Sequence, residues 1–125
     1  MEDGLSNNHV TCCVQDDYGF MWFGTRDGLN RFDSKKFYTF KSYSSEKGSL
    51  MSSYILDLAK SPTGQIWVST NLGLQKYDYQ TDSFTLIDFT KGINCYSLQF
   101  DQQGNLWMIL NGISLVKYNE SQGMA

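Results

Sequence analysis

Apolar residues along this chain fall into short runs separated by polar turns that close on glycine. The runs VTCCVQD, ILDLAKS and CYSLQFD are β-prone, and each leads into a turn, DDYG, SPTG or DQQG. These turns suit short hairpin connections, in which glycine supplies the positive φ that the exit from a hairpin often needs. The segments that follow, FMWFG, QIWVS and NLWMI, are apolar on both sides of a tryptophan: Met21 and Phe23, Ile66 and Val68, Leu106 and Met108. A strand with one wet face alternates, whereas a strand buried on both faces reads as a continuous apolar run. A third strand is expected in LNRFD, LQKYD and ISLVKYN, and a fourth is visible twice, around residues 37–40 and 84–87. No stretch sustains apolar residues at i, i+3, i+4 and i+7, so helix content should be low.

The pattern is a repeat. Trp22, Trp67 and Trp107 lie 45 and 40 residues apart, and Gly19, Gly64 and Gly104 stand three residues before them. Gly28 and Gly73 stand six after their tryptophan and Gly112 five after, so the third copy has lost one residue. An aromatic with a polar follower closes each third strand: Phe32-Asp33, Tyr77-Asp78 and Tyr118-Asn119. Val10, Ile55 and Cys95 lie twelve residues upstream of the three tryptophans. This period is that of a four-stranded propeller blade. The expected fold is all-β, with one blade over residues 4–48, a second over 49–91, an incomplete third over 92–119, and a tail over 120–125. The third copy stops after Tyr118 without a fourth strand. The three tryptophans are expected at equivalent buried positions in the second strand of each blade. An open arc leaves two blade faces unpaired. It is expected to associate through them, most simply as a two-fold dimer, or to be completed by the remaining blades of a larger ring.

Composition narrows the function classes. The 125 residues are 41% hydrophobic, 15% aromatic and 18% charged, with net charge −3. That composition suits a folded domain, and the acidic balance argues against a nucleic-acid surface, which rests on many Lys and Arg. The densest basic run, Arg26 to Lys47, reads as a solvated face. No apolar run reaches the ~18–20 residues that cross a bilayer, so no membrane contact is expected of this segment. The opening MEDGLSNNHV lacks the basic and apolar regions of a signal peptide. Adjacent cysteines on a strand point to opposite faces, so Cys12 and Cys13 cannot both join one cross-strand bridge, and with Cys95 they are expected to act as small buried hydrophobes. With one histidine, His9, and no Cys-x-x-Cys, neither a metal site nor a cofactor is expected. There is no nucleophile elbow, since GISLV lacks the second glycine, and no phosphate-binding glycine loop. Asp16, Asp33, Asp78 and Asp101 recur at regular places beside turns and read as turn formers. No catalytic residue is assigned, and the chain is not expected to be an enzyme.

The first copy, GLSNNHVTCCVQDDYGFMWFGTRDGLNRFD, closely resembles the two-component regulator propeller repeat. The second copy departs from it at Ser61, where the pattern has Asp, and at Ser69, where it has Gly. The third departs at Leu110 and by the lost residue before Gly112. The resemblance implies the periplasmic sensor region of a bacterial hybrid two-component regulator, whose histidine kinase lies elsewhere in the parent protein. It implies a carbohydrate-like ligand, such as an oligosaccharide. The alternative is a structural or protein-interaction propeller that mediates dimerisation, and a propeller lyase is a weaker third reading. Alternation of loops between two faces puts Arg26, Asp27, Asn71, the Asn7-Asn8-His9 turn and Ser45, Glu46 and Lys47 on one face. These polar loop residues are the sequence-level candidates for ligand contact.

Overall fold

The computed structural model describes residues 9–42, 48–120 and 123–124. Its strands are β1 (Val10–Gln15), β2 (Met21–Thr25), β3 (Gly28–Phe32), β4 (Phe37–Phe40), β5 (Ile55–Lys60), β6 (Ile66–Thr70), β7 (Gly73–Asp78), β8 (Ser83–Leu86), β9 (Cys95–Phe100), β10 (Leu106–Leu110), β11 (Ser114–Asn119) and β12 (Gly123–Met124). They form three antiparallel four-stranded sheets in simple up-and-down order, β1 to β4, β5 to β8 and β9 to β12. Among the described residues the only helical element is a short 3-10 turn, Asp88–Thr90. None of the described helices is long and apolar enough to cross a membrane. The chain is therefore an arc of three propeller blades.

Local chemistry explains the hairpins. At the β1–β2 turn, Asp16 Oδ1 accepts hydrogen bonds from the Tyr18 and Phe20 amides, both at 2.9 Å. Asp101 holds the β9–β10 turn in the same way, through the Gln103 and Asn105 amides. Asp33 and Asp78 cap the β3–β4 and β7–β8 turns. Such side-chain bonds substitute for ladder bonds where the chain reverses. Gly19 completes its turn at φ 90°, a left-handed conformation that a side chain would strain.

The sheets pack face to face, with β5 lying between β1 and β9. Polar side chains tie these inner strands together. Thr11 Oγ1 donates to the Ile55 carbonyl at 2.9 Å, and Asp57 Oδ2 accepts from the Leu98 amide at 2.8 Å. One apolar cluster, including Trp22, Leu29, Ile55, Ile66, Val68 and Tyr77, fills the space between the first and second blades. A second, including Trp67, Leu74, Cys95, Leu98, Leu106 and Met108, lies between the second and third.

Position in the arc corrects several expectations. All three tryptophans occupy the second strand of their blade, but only Trp22 and Trp67 are buried, at 0% and 2% exposure. Trp107 is half-buried, because each blade's tryptophan is covered by the blade that follows. Likewise only β6, in the middle blade, is buried along its whole length; β2 and β10 are partly exposed on their outer faces. The three cysteines are free thiols of three kinds: Cys95 is buried, Cys12 half-buried and Cys13 exposed. Burial pushes the Cys12 and Cys95 thiols up to about 11. The third sheet also gains a two-residue fourth strand, in which Gly123 and Met124 pair with Asn119 and Tyr118. The fourth strand expected to be missing is present as a stub.

Candidate functional site

Arg26 and Asp27 form the β2–β3 turn and Asn71 begins the β6–β7 turn, at the same edge of neighbouring sheets. Thr25 and Thr70 build both turns alike. Thr25 Oγ1 accepts from the Asp27 amide at 3.0 Å and donates to the Gly28 carbonyl at 2.8 Å. Thr70 Oγ1 repeats this with Leu72 and Gly73. Arg26 and Asn71 are exposed, while Asp27 is engaged by Lys41 Nζ at 3.1 Å. Asn7, Asn8, Ser45, Glu46 and Lys47 lie outside the described residues. His9 is exposed at the start of the first blade. The predicted residues thus share a rim but stand on separate turns.

The opposite rim carries a more specific arrangement that the loop argument missed. In the first blade, the indole Nε1 of Trp22 donates to Asp16 Oδ2 at 2.8 Å, and the Tyr79 hydroxyl from the second blade donates to the same oxygen at 2.6 Å. Asp16 is buried, and Tyr18 packs against Tyr79 with ring centroids 5.0 Å apart. Burial, then the hydrogen bond to Asp16, raises the Tyr79 phenol above its ordinary range. Arg31 lies over the Trp22 ring at 5.4 Å and donates to the Tyr77 hydroxyl at 3.0 Å. Burial pushes that phenol up to about 12, with its hydrogen bond to Asp82 acting in the same direction. In the third blade, Trp107 Nε1 donates to Asp101 Oδ2 at 2.9 Å. That bond is the largest reason the Asp101 carboxyl falls to about 2, with the turn amides assisting.

The second blade has no such carboxylate. Ser61 stands at the place of Asp16 and Asp101, and its short side chain serves its own turn. Its Oγ accepts from the Gln65 amide at 3.0 Å and lies 3.0 Å from Thr63 Oγ1. The buried Nε1 of Trp67 has no hydrogen-bond partner. The place of Tyr79 is taken by Glu120, which pairs with Lys76 instead. A cleft of about 300 Å³ opens here between the second and third blades, with Ser61, Gln65, Trp67, Phe100, Tyr118 and Glu120 in its wall. The signal for it was present in the sequence as the Ser61 departure; its consequence required the neighbouring blade. Among the described residues, no cluster of three His, Cys, Asp or Glu side chains is placed to hold a metal ion.

Residues 4–27 match the family model described as two-component regulator propeller. A 41-residue stretch is 54% identical to histidine kinase P4 of Formosa agariphila, covering 33% of this chain and 3% of that protein. The structure superposes on the extracellular domain of a protein described as the hybrid two-component system BT3049 of B. thetaiotaomicron. The TM-score is 0.84 at 30% identity, over 98% of this chain and 18% of that domain. The extracellular domain of BT4673 from the same organism gives a TM-score of 0.75 at 23% identity, over 94% of this chain and 16% of that one. The chain therefore spans a small part of each relative.

Proposed function

We propose that this chain is part of the extracytoplasmic propeller of a hybrid two-component regulator and that it senses a carbohydrate ligand. The observation that supports this reading is the superposition on the BT3049 extracellular domain along almost the whole chain. Three rigid sheets present two rims of turns, and loops held by such a scaffold are the usual material of a binding site. Signalling then requires only that the ligand bind two arrangements of the propeller unequally. The experiment is calorimetric titration of the chain with oligosaccharides of different backbone chemistry. It is paired with transcriptional output from the full parent regulator in cells given the same sugars. One sugar class that produces both binding heat and output is expected. Output from a sugar that the propeller does not bind would move the sensing function to another segment.

A second reading, an interaction propeller, is favoured by the two end faces. Ile113 and Leu115 of the third blade are 86% and 67% exposed, and Trp107 on β10 is only half-buried. On the first blade Met21, Phe23, Phe32 and Phe37 are half-buried, whereas their counterparts Ile66, Val68, Tyr77 and Phe84 in the second blade are buried beneath a neighbour. A further blade, from the same chain or from a second copy, would cover both ends. Sedimentation of the 125-residue chain tests the second copy: a concentration-dependent dimer is expected, and a monomer at high micromolar concentration would remove it.

A further inference from the structure

We infer that the cleft between the second and third blades is a binding site for one uncharged sugar ring, anchored on the indole N–H of Trp67. This inference deepens the carbohydrate reading and rests on it. The anchor is an unusual group. Trp67 is 2% exposed, and its Nε1 has no acceptor, although a buried donor without a partner costs about 1–3 kcal/mol. At the equivalent register Trp22 and Trp107 aim the same N–H at Asp16 and Asp101. In the second blade that direction leads to Ser61, which lines the cleft and is occupied by its own turn. No oxygen of the chain fills the position where two other blades carry a carboxylate oxygen, and a ligand reaches it from the cleft by displacing the side chains that cover the N–H.

The lining defines the class of ligand. At about 300 Å³, the cleft is at the lower end of the ~300–1,000 Å³ typical of small-molecule sites, so it suits one ring rather than an extended chain. Phe100 and Tyr118 supply aromatic surface for the C–H face of a sugar. Glu120 supplies an acceptor, and its pairing with Lys76 leaves no unmatched positive charge to hold an anion. A hydroxyl group fits both ends of this site, because it accepts from the Trp67 N–H and donates to a carboxylate. A carboxylate ligand would meet Glu120 as a like charge.

The test reads the three indole N–H resonances of the chain in nitrogen–proton correlation spectra, during titration with methyl glycosides of common hexoses and pentoses and, separately, with acetate. The expected result is that at least one glycoside shifts the Trp67 resonance while those of Trp22 and Trp107 stay in place. S61D supplies the missing carboxylate inside the protein and should abolish that shift. S61A leaves the cleft and the orphan N–H intact and should retain it. W67F keeps a ring but removes the donor, and should weaken binding at least about tenfold, a change of ~1.4 kcal/mol. Calorimetric binding of a glycoside without movement of the Trp67 resonance would overturn this site while leaving carbohydrate sensing intact. A response to acetate alone would overturn the sugar class. Silence from every probe up to about 50 mM, well above millimolar affinity, would overturn the site.

Discussion

The two interfaces within this arc are built from the same strands and finished differently. Between the first and second blades, the Asp16 carboxylate gathers the Trp22 indole, the Tyr79 hydroxyl and two turn amides, and aromatic rings close over it. Between the second and third, Ser61 and Glu120 stand where Asp16 and Tyr79 would be, and the Trp67 indole faces a cleft. Repeating the framework of a blade therefore does not repeat its polar interior. One carboxylate satisfies four donors at once; its replacement by a hydroxyl leaves a buried donor and room for a guest. Two substitutions on different blades separate a closed joint from an open one.

This contrast can be broken most severely at the tryptophans. Trp22→Ala should destabilise the chain by ~3–5 kcal/mol, the usual range for removing a buried large aromatic. Trp107→Ala should cost less than about 2 kcal/mol, because part of that ring is already in water. Urea unfolding of the two variants checks the order, and equal losses would mean that the open end is covered in solution. Asp16→Ser should convert the first interface toward the second. It strands the Trp22 N–H and the Tyr79 hydroxyl, and a loss of about 3 kcal/mol is expected from two unsatisfied buried groups. The accompanying signature is a Trp22 indole resonance that becomes sensitive to added hydroxylic ligands.

A finer probe is Tyr79→Phe, which removes one charge-assisted hydrogen bond while keeping the ring. A loss of about 1.5 kcal/mol is expected in thermal or urea unfolding. The corresponding Glu120→Gln change in the second interface affects an exposed ion pair and should stay within about 1 kcal/mol. The smallest effect concerns protons. The folded Asp101 carboxyl titrates at about 2 against an ordinary 3.8, so its stabilising contribution is present above 3.8 and disappears as pH falls through about 2. The carboxyl carbon of Asp101 and the indole N–H of Trp107 should titrate together near that lower value. A midpoint near 3.8 would mean that the bond between them is absent in solution.

Much of this architecture is legible in the chain because each blade is a local object. Strands of four to six residues joined by tight turns announce themselves through turn glycines, Asp caps and apolar runs. The register of Trp22, Trp67 and Trp107 on the second strands follows from their common flanks, as does the placement of Arg26, Asp27 and Asn71 on one rim. The fourth strand of the third blade was not legible, since a two-residue pairing at Gly123 and Met124 has no hydrophobic period.

Burial and site chemistry were decided elsewhere. Trp107 has the same local sentence as Trp22, yet one is half-exposed and the other fully buried, because the covering surface belongs to the next blade. Gly24 shows part of the same dependence: a Cβ there would lie 2.5 Å from Cys12 Sγ of its own blade and equally close to Ile55 Cγ2 of the neighbouring blade. The second blade carries Ser69 at that position, with Asp57 and Cys95 at the places of Cys12 and Ile55. Ser61 could be seen in the sequence as a departure from pattern. That it leaves an unpartnered indole beside an open cleft depends on Glu120, 59 residues away, standing where Tyr79 closes the other joint. Local hydrogen bonds and side-chain periodicity specify a blade from its own residues. The joint between blades depends on side chains brought together from distant parts of the chain, and only the packed arc assembles them.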